Sequence, residues 1–570
     1  MNRRVSSINQ FKEKVMKKFF LITAIALTAL MLISCPGSRR PQGAGSIGSD
    51  SPDIPGWTLN VNKPIQFDWY IHFNWFARQW GTSRVSQYIT EKTGVSIRFL
   101  TPAGAEDARL NTMIAGGLLP DFITLNWWTG QIPLMIDAGL LYPLNYLAEL
   151  YDPFFFTVAN PERLAWYTHR DGNVYGYPNA SFTTADIERY QGYLTSIQTF
   201  LVRNDIHEAL GRPDMTTPEG FLNALRRARE MFPTIGGQPL IPLTFGPFDA
   251  TGNHTLQSYL LNFLAIPPET PCGMFYDPDI GPTHPDYIMW LRAFRQAASE
   301  GLIPMDVFVN TRSQIEELAA QGRFFAMFYP NWEMQAPQQA RFNIDPNTIY
   351  IAVDGPRNSA GDPHTLPSGA ISGWTLTFIS RNVRDRPRAI QFLSYLLSEE
   401  GQMALFFGVP EGNPFGIEPT FTWVDGVPTL LPYIAEMDRY EKNRQEIEIG
   451  VQYTYWMLMN TPWIHQFPRE YSPALEQPQM WTRPFVTSFS VYDRLDMEPG
   501  SEEALIRANI QRRWGQDLPR LILAPTDAEF DRIWNDFQNF KMAQGFARLQ
   551  AAQTELLNAN RIRLGYSMPD

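Results

Sequence analysis

From Ile65 onward, apolar residues recur at two spacings that alternate along the chain. Ile65, Phe67 and Trp69 alternate as a strand requires, and Val85, Tyr88 and Ile89 follow on a helical spacing that stops at Gly94. Val95, Ile97 and Phe99 then predict a second strand, Leu110, Met113 and Ile114 a second helix ended by Gly116-Gly117, and Phe122 to Leu125 a third strand. Strand, helix, strand, helix, strand is the rhythm of a parallel sheet, so the chain is predicted to be α/β. Such sheets bind ligands beyond the carboxyl ends of their strands, here the segments after Trp69 and after Leu125.

Later segments read as helices. Thr216-Thr217-Pro218-Glu219 opens one whose apolar face holds Phe221, Leu222, Leu225 and Ala228. Others start near Pro285, after Asp385 with Gly401 as the stop, and at Thr526 with Glu529 in the capping position. The expected architecture is two lobes followed by a helix-rich C-terminal part.

The first residues carry a different pattern. Met16-Lys17-Lys18 precedes the uncharged apolar run Phe19 to Leu32, which has signal-peptide length and is shorter than a bilayer-spanning helix needs. The run ends in Leu32-Ile33-Ser34-Cys35, followed by a Gly-, Ser- and Pro-rich stretch with no apolar repeat. Residues 1–34 are therefore predicted to be a signal peptide starting at Met16, and 35–56 a flexible tether. Setting residues 1–34 aside removes six Lys/Arg and one Glu, leaving 41 basic and 57 acidic side chains, a formal net charge of −16. That balance argues against nucleic acid as a partner. Cys272 is the other cysteine; Leu32 to Cys35 resembles a bacterial lipobox, which implies that Cys35 is lipidated, so that no intramolecular disulfide can form and the fold must rest on its core.

Motifs for enzyme chemistry are sparse. The sequence has no Gly-x-Ser-x-Gly elbow, no Gly-rich phosphate loop and no His-Glu-x-x-His, and no metal site or cofactor is predicted. A glycosidase needs two carboxylates facing each other across a cleft. Asp68, Asp121 and Glu333 are candidates, although Asp121 is explained as simply by a cap or turn. Aromatic residues make up 14% of the chain, with 16 Trp; a large core and a stacking surface both account for them.

Several segments, in shared order across some 340 residues, resemble the extracellular solute-binding lipoproteins of ATP-binding cassette importers, in the large branch associated with oligosaccharides. Leu32 to Cys35 looks like a lipobox. Gly116-Gly117-Leu118-Leu119-Pro120-Asp121 looks like the family's turn into the third strand, and Asp171 to Pro178 like its hairpin. Arg203-Asn204-Asp205, Glu300 to Pro304, Gly322 to Met327 and the Arg388 to Gly401 helix also match. The resemblance implies a periplasmic-binding-protein-like fold with several interlobe crossings: lobe 1 from 57–185 and 368–412, lobe 2 from 186–367 and 413–570. It places crossings at 181–193, 367–373 and 410–416. It implies a chain exported and lipid-anchored through Cys35 on the extracellular or periplasmic face, monomeric, with membrane permease subunits as partners. The implied ligand is a small molecule, an oligosaccharide above all, held in the cleft by Asn74, Trp75, Trp127, Trp128, Trp332 and Trp374; interior packing is the alternative for each Trp. Residues 408–414 depart from the family pattern and 416–570 do not align with it, which leaves the ligand open. A secreted carbohydrate-active hydrolase and a surface lipoprotein that docks another protein are the competing functions.

Overall fold

A computed structural model describes residues 46–102, 106–451, 457–467, 472–498 and 500–568. The signal peptide, Cys35 and most of the tether lie outside the described residues. The chain divides into two units, Met1–Ile47 and Gly48–Asp570; the second holds the fold described below.

In chain order its main strands are β1 (Ile65–Ile71), β2 (Val95–Leu100), β3 (Phe122–Asn126), β4 (Leu141–Tyr142), β5 (Gly176–Asn179), β6 (Gln198–Arg203), β7 (Ile241–Thr244), β8 (Phe324–Pro330), β9 (Tyr350–Ala352), β10 (Leu366–Pro367), β11 (Thr375–Ser380) and β12 (Val486–Thr487). They form two principal sheets, one per lobe. The first runs β2-β1-β3-β11-β4, with β5 also on β11. Its β2, β1 and β3 are parallel, as the βαβ rhythm predicts, and β11 enters antiparallel beside β3. The second sheet runs β9-β6-β8-β7. Short parallel pairing of β10 with β12, Leu366 against Val486, joins two connecting segments outside both sheets.

The helices used below are α1 (Arg84–Thr93), α2 (Pro161–Trp166), α3 (Arg386–Leu397), α4 (Pro473–Thr482), α5 (Glu502–Ile522), α6 (Asp527–Ala543) and α7 (Phe546–Leu564). One core packs both faces of the second sheet and takes Trp514, Phe530 and Phe537 from α5 and α6. The first sheet has a core on each face: Phe67, Trp69 and Phe122 with α1 and α3 on one side, Tyr70, Ile123 and Leu125 on the other. Because both faces are covered, β1 is buried from Phe67 to Ile71 without interruption.

Two expectations need correction. Gly401 does not stop α3. That helix ends at Ser398, whose hydroxyl caps a new helix, Glu399–Phe406, by accepting the Gly401 N–H. Nor do residues 410–416 cross between lobes, and the segment after 412 does not pass at once to the second one. Thr420 returns to Val409 through two hydrogen bonds, its N–H onto the Val409 carbonyl (2.8 Å) and the Val409 N–H onto its hydroxyl (2.7 Å). Ile434, Met437, Ile449, Val451 and Met457 to Met459 then pack in the α1/α3 core of the first lobe. The chain reaches the second sheet with α4, which packs on β9 and β6. The Pro- and Gly-rich signal at 410–416 marks a loop inside one lobe.

Candidate functional site

The carboxyl ends of β1 and β3 and the start of β11 meet at one edge of the first sheet. Beyond β1, Phe73 is buried, and its N–H turns back onto the Ile71 carbonyl at 2.8 Å. This tight turn sets Asn74 and Trp75 outside the sheet, Trp75 52% exposed. Past β3, the Trp127 N–H donates to the Trp374 carbonyl (3.3 Å), and the Trp374 N–H donates to Asn179 on β5 (2.8 Å). The antiparallel register of β11 between β3 and β5 thus brings Trp374 beside Trp127 and Asn179, far earlier in the chain.

The rings form two groups at this edge, Phe73, Trp75 and Trp374 against one face's core and Trp127 with Trp128 against the other's. Trp75 stacks on Trp374 with centroids 6.0 Å apart and planes 11° from parallel, and Phe73 backs both at 5.2 and 5.3 Å. Trp127 meets Trp128 edge to face at 5.5 Å. Trp127 and Trp374 are half-buried, whereas Trp128 is 56% exposed. A core tryptophan has no open face; Trp75 and Trp128 keep theirs in water at the strand ends, where a flat ligand surface could cover them.

Trp332 comes from the other lobe. It is half-buried in a 3-10 turn, Asn331–Met334, directly after β8. Asn331 fixes that turn: its N–H donates to the Ile197 carbonyl (2.9 Å) and its Nδ2 to the Ser196 carbonyl (2.8 Å). The neighbouring Glu333 sits 3.3 Å from Arg312, and burial raises its carboxyl above the usual range.

The other two candidate acids serve the sheet. Arg98 grips Asp68 with two bonds of 2.7 Å, and Arg384 adds a third. Buried Asp121 accepts the backbone N–H of Asp68 (2.8 Å) and of Arg384 (2.9 Å). Asp121 precedes β3, while the tryptophans follow it, so this acidic pair stands roughly a strand length, about 17 Å, from the aromatic edge.

A seam joins the lobes next to that edge, and sequence reasoning missed it. The Tyr167 hydroxyl donates to the Ser372 carbonyl at 2.6 Å. Ser372 gives both its N–H and its hydroxyl to Asp493, each at 2.7 Å. The next residue, Arg494, lies 5.0 Å over the Tyr167 ring. Burial pushes the Asp493 carboxyl up despite those two bonds. With partners more than 100 positions apart and no periodicity linking them, nothing in the sequence marks the set. A separate concavity of about 490 Å³, bordered by Trp57, Phe154, Glu400 and Trp463, lies elsewhere on the first lobe and contains none of the predicted site residues. Among the described residues no group of His, Cys, Asp and Glu could hold a metal ion, and no helix is long and apolar enough to cross a membrane.

Two α/β lobes, with the chain passing repeatedly between them and an aromatic surface at the strand ends of one, define a two-lobe solute-binding protein. Residues 85–409 match the bacterial extracellular solute-binding proteins, and the chain belongs to that family. No curated protein matches it. Among solved structures it is similar to an HMO-binding, ABC-transporter-associated solute-binding protein from Bifidobacterium longum infantis (15% identity, 87% of this chain and 99% of the other, TM-score 0.61). It is also similar to alginate-binding protein AlgQ2 (16% identity, 87% and 98%, TM-score 0.58) and to the substrate-binding protein FusA of S. pneumoniae in complex with kestose (15% identity, 87% and 100%, TM-score 0.57). At these identities the likeness is one of fold.

Proposed function

We propose that this protein is lipid-anchored through Cys35, captures an oligosaccharide between its lobes and delivers it to the permease of an ATP-binding cassette importer. The observation that carries the reading is the stack of Trp75 on Trp374, backed by Phe73, beside Trp127 and the exposed Trp128. Sugar rings present flat C–H faces and rims of hydroxyls, and a row of open indoles suits the faces. Trp332, from the opposite lobe, supplies a second stacking side on closure. Similar folds described as binding HMO, alginate or kestose support the same class of ligand. A hydrolase is disfavoured because Asp68 and Asp121 are held by Arg98 and Arg384 away from the aromatic edge.

The test is calorimetric titration of the mature chain with a panel of oligosaccharides, with reducing ends assayed in parallel. Saturable binding without new reducing ends is the expected result; turnover would move the assignment to a hydrolase. For the anchor, Cys35→Ser is expected to abolish incorporation of labelled palmitate, and continued labelling would refute the lipobox.

A further inference from the structure

We infer that Arg494 and Arg563 form an anion-binding clamp at the seam between the lobes, and that the oligosaccharide captured there carries carboxylate or sulfate groups. The second half rests on the function proposed above; the first does not.

Both arginines belong to the second lobe's side of the seam, on segments joined through Phe275, Val491, Leu495 and Leu557. Both reach the first lobe at one place, the end of α2. Arg494 Nη1 donates to the Trp166 carbonyl at 3.5 Å, and its guanidinium covers the Tyr167 ring. Arg563 donates to the Ala165 carbonyl and lies 4.6 Å over the Trp166 ring. The two cations are close enough that Arg563 is held below its ordinary pKa, first by burial and then by Arg494.

Among the described residues neither guanidinium has an ion pair with a carboxylate, in a chain where 58 acidic residues exceed 47 basic ones. The nearest acid in sequence, Asp493, gives both oxygens to Ser372 and faces Arg494 through the Arg494 amide and at longer range, not through a guanidinium bond. The Asp493 charge together with the roughly half an elementary charge at the carboxyl end of a helix does not balance two guanidiniums. Each guanidinium has five N–H donors, and one donation each is described. Two planar forks with donors to spare, resting on aromatic faces, match the geometry of a carboxylate or sulfate.

The clamp also adjoins the sugar-stacking edge. Tyr167 packs in the same core as Trp127 and bonds Ser372, two residues before Trp374. An anionic group held by the clamp would therefore sit on a ring next to those stacked on the indoles.

The competing role for the pair is a brace that caps α2 across the seam and binds nothing. The experiment titrates wild type, Arg494→Gln, Arg563→Gln and the double variant with a tetra- to hexa-galacturonate, a sulfated carrageenan oligosaccharide and a neutral maltooligosaccharide. In parallel, thermal protection by sodium sulfate is measured against chloride at equal ionic strength. A clamp predicts that each Gln variant loses acidic-glycan affinity by about tenfold or more, with neutral binding unchanged and sulfate protection gone in the double variant; galacturonate against carrageenan identifies the anion. Equal losses for acidic and neutral glycans would show a brace only, and a wild type with no acidic preference would overturn the inference. If no glycan binds but sulfate protection depends on both arginines, the clamp stands and the oligosaccharide reading falls; absent that protection too, both fall. Should the Gln variants not fold, Lys at both positions keeps the charge and removes the fork, and it must still weaken acidic binding selectively.

Discussion

Ser372 and Asp493, 121 positions apart, are tied by two hydrogen bonds of 2.7 Å that use both carboxylate oxygens. Ser372 lies in the segment returning to the first sheet, and Asp493 follows the β12 strand that pairs with that same segment at Leu366. The pair therefore pins two connections to each other beside the site. Asp493→Ala leaves a buried amide and hydroxyl without an acceptor, which costs about 1–3 kcal/mol each when uncompensated. The expected outcome is a lowered urea midpoint with unchanged slope; a midpoint within error of wild type would show the pair contributes nothing.

Gly401 tests the corrected helix boundary. A Cβ there would stand 2.0 Å from the Tyr395 carbonyl oxygen and 3.0 Å from the Leu396 Cα, both backbone atoms that cannot rotate away. Gly401→Ala is expected to destabilise the first lobe by about 1–3 kcal/mol, the usual cost of overpacking. A Gly that merely stopped α3 would instead tolerate Ala with little change on thermal denaturation.

These two cases show what the sequence could reveal. The alternation at Val95, Ile97 and Phe99 and the run at Phe122 to Leu125 were readable because each strand's pattern is local. The family resemblance put Trp127 and Trp128 just past the third strand, a strand end of the kind where open sheets bind ligands. The neighbours of Trp374 were not readable, because β11 is inserted beside β3 by long-range pairing that leaves no periodic trace. Gly401 and the 410–416 loop misled for one reason: Gly and Pro report local backbone freedom, while the Ser398 cap and the Thr420–Val409 contact decide what the chain does there.

Asp152 gives a pH signature. It is fully buried against Gly56 and α3, and burial, opposed by the nearby Ser394 hydroxyl and Gly56 amide, raises its carboxyl from 3.8 to about 6. A raised folded-state value means that the folded chain binds the proton more tightly than the unfolded one. Its contribution is present below the unfolded value and is lost as pH rises from 3.8 to about 6, on the order of 3 kcal/mol in all. Asp152→Asn should flatten this falling limb and raise stability at pH 7 relative to wild type, with little difference at pH 3.5. Denaturant titrations at the two pH values decide it; parallel pH profiles for the two proteins would remove Asp152 from the account.

Trp332 tests whether the two lobes share one ligand. Trp75, Trp127, Trp128 and Trp374 all come from the first sheet's edge, and Trp332 from the turn after β8 in the second lobe. If a sugar bridges them, the open state stacks it on one side and the closed state on both. A ligand shifts the open–closed equilibrium only by its difference in affinity for the two states. Removing the second-lobe ring takes away that difference, whereas removing a first-lobe ring weakens both states alike. Trp332→Ala should therefore lower affinity by about 1–3 kcal/mol, the scale of burying a large apolar side chain, and reduce ligand-induced compaction in small-angle scattering. Trp75→Ala should lower affinity comparably, yet leave compaction at saturating ligand intact. Wild-type affinity and full compaction in Trp332→Ala would make Trp332 a packing residue and confine the site to the first lobe.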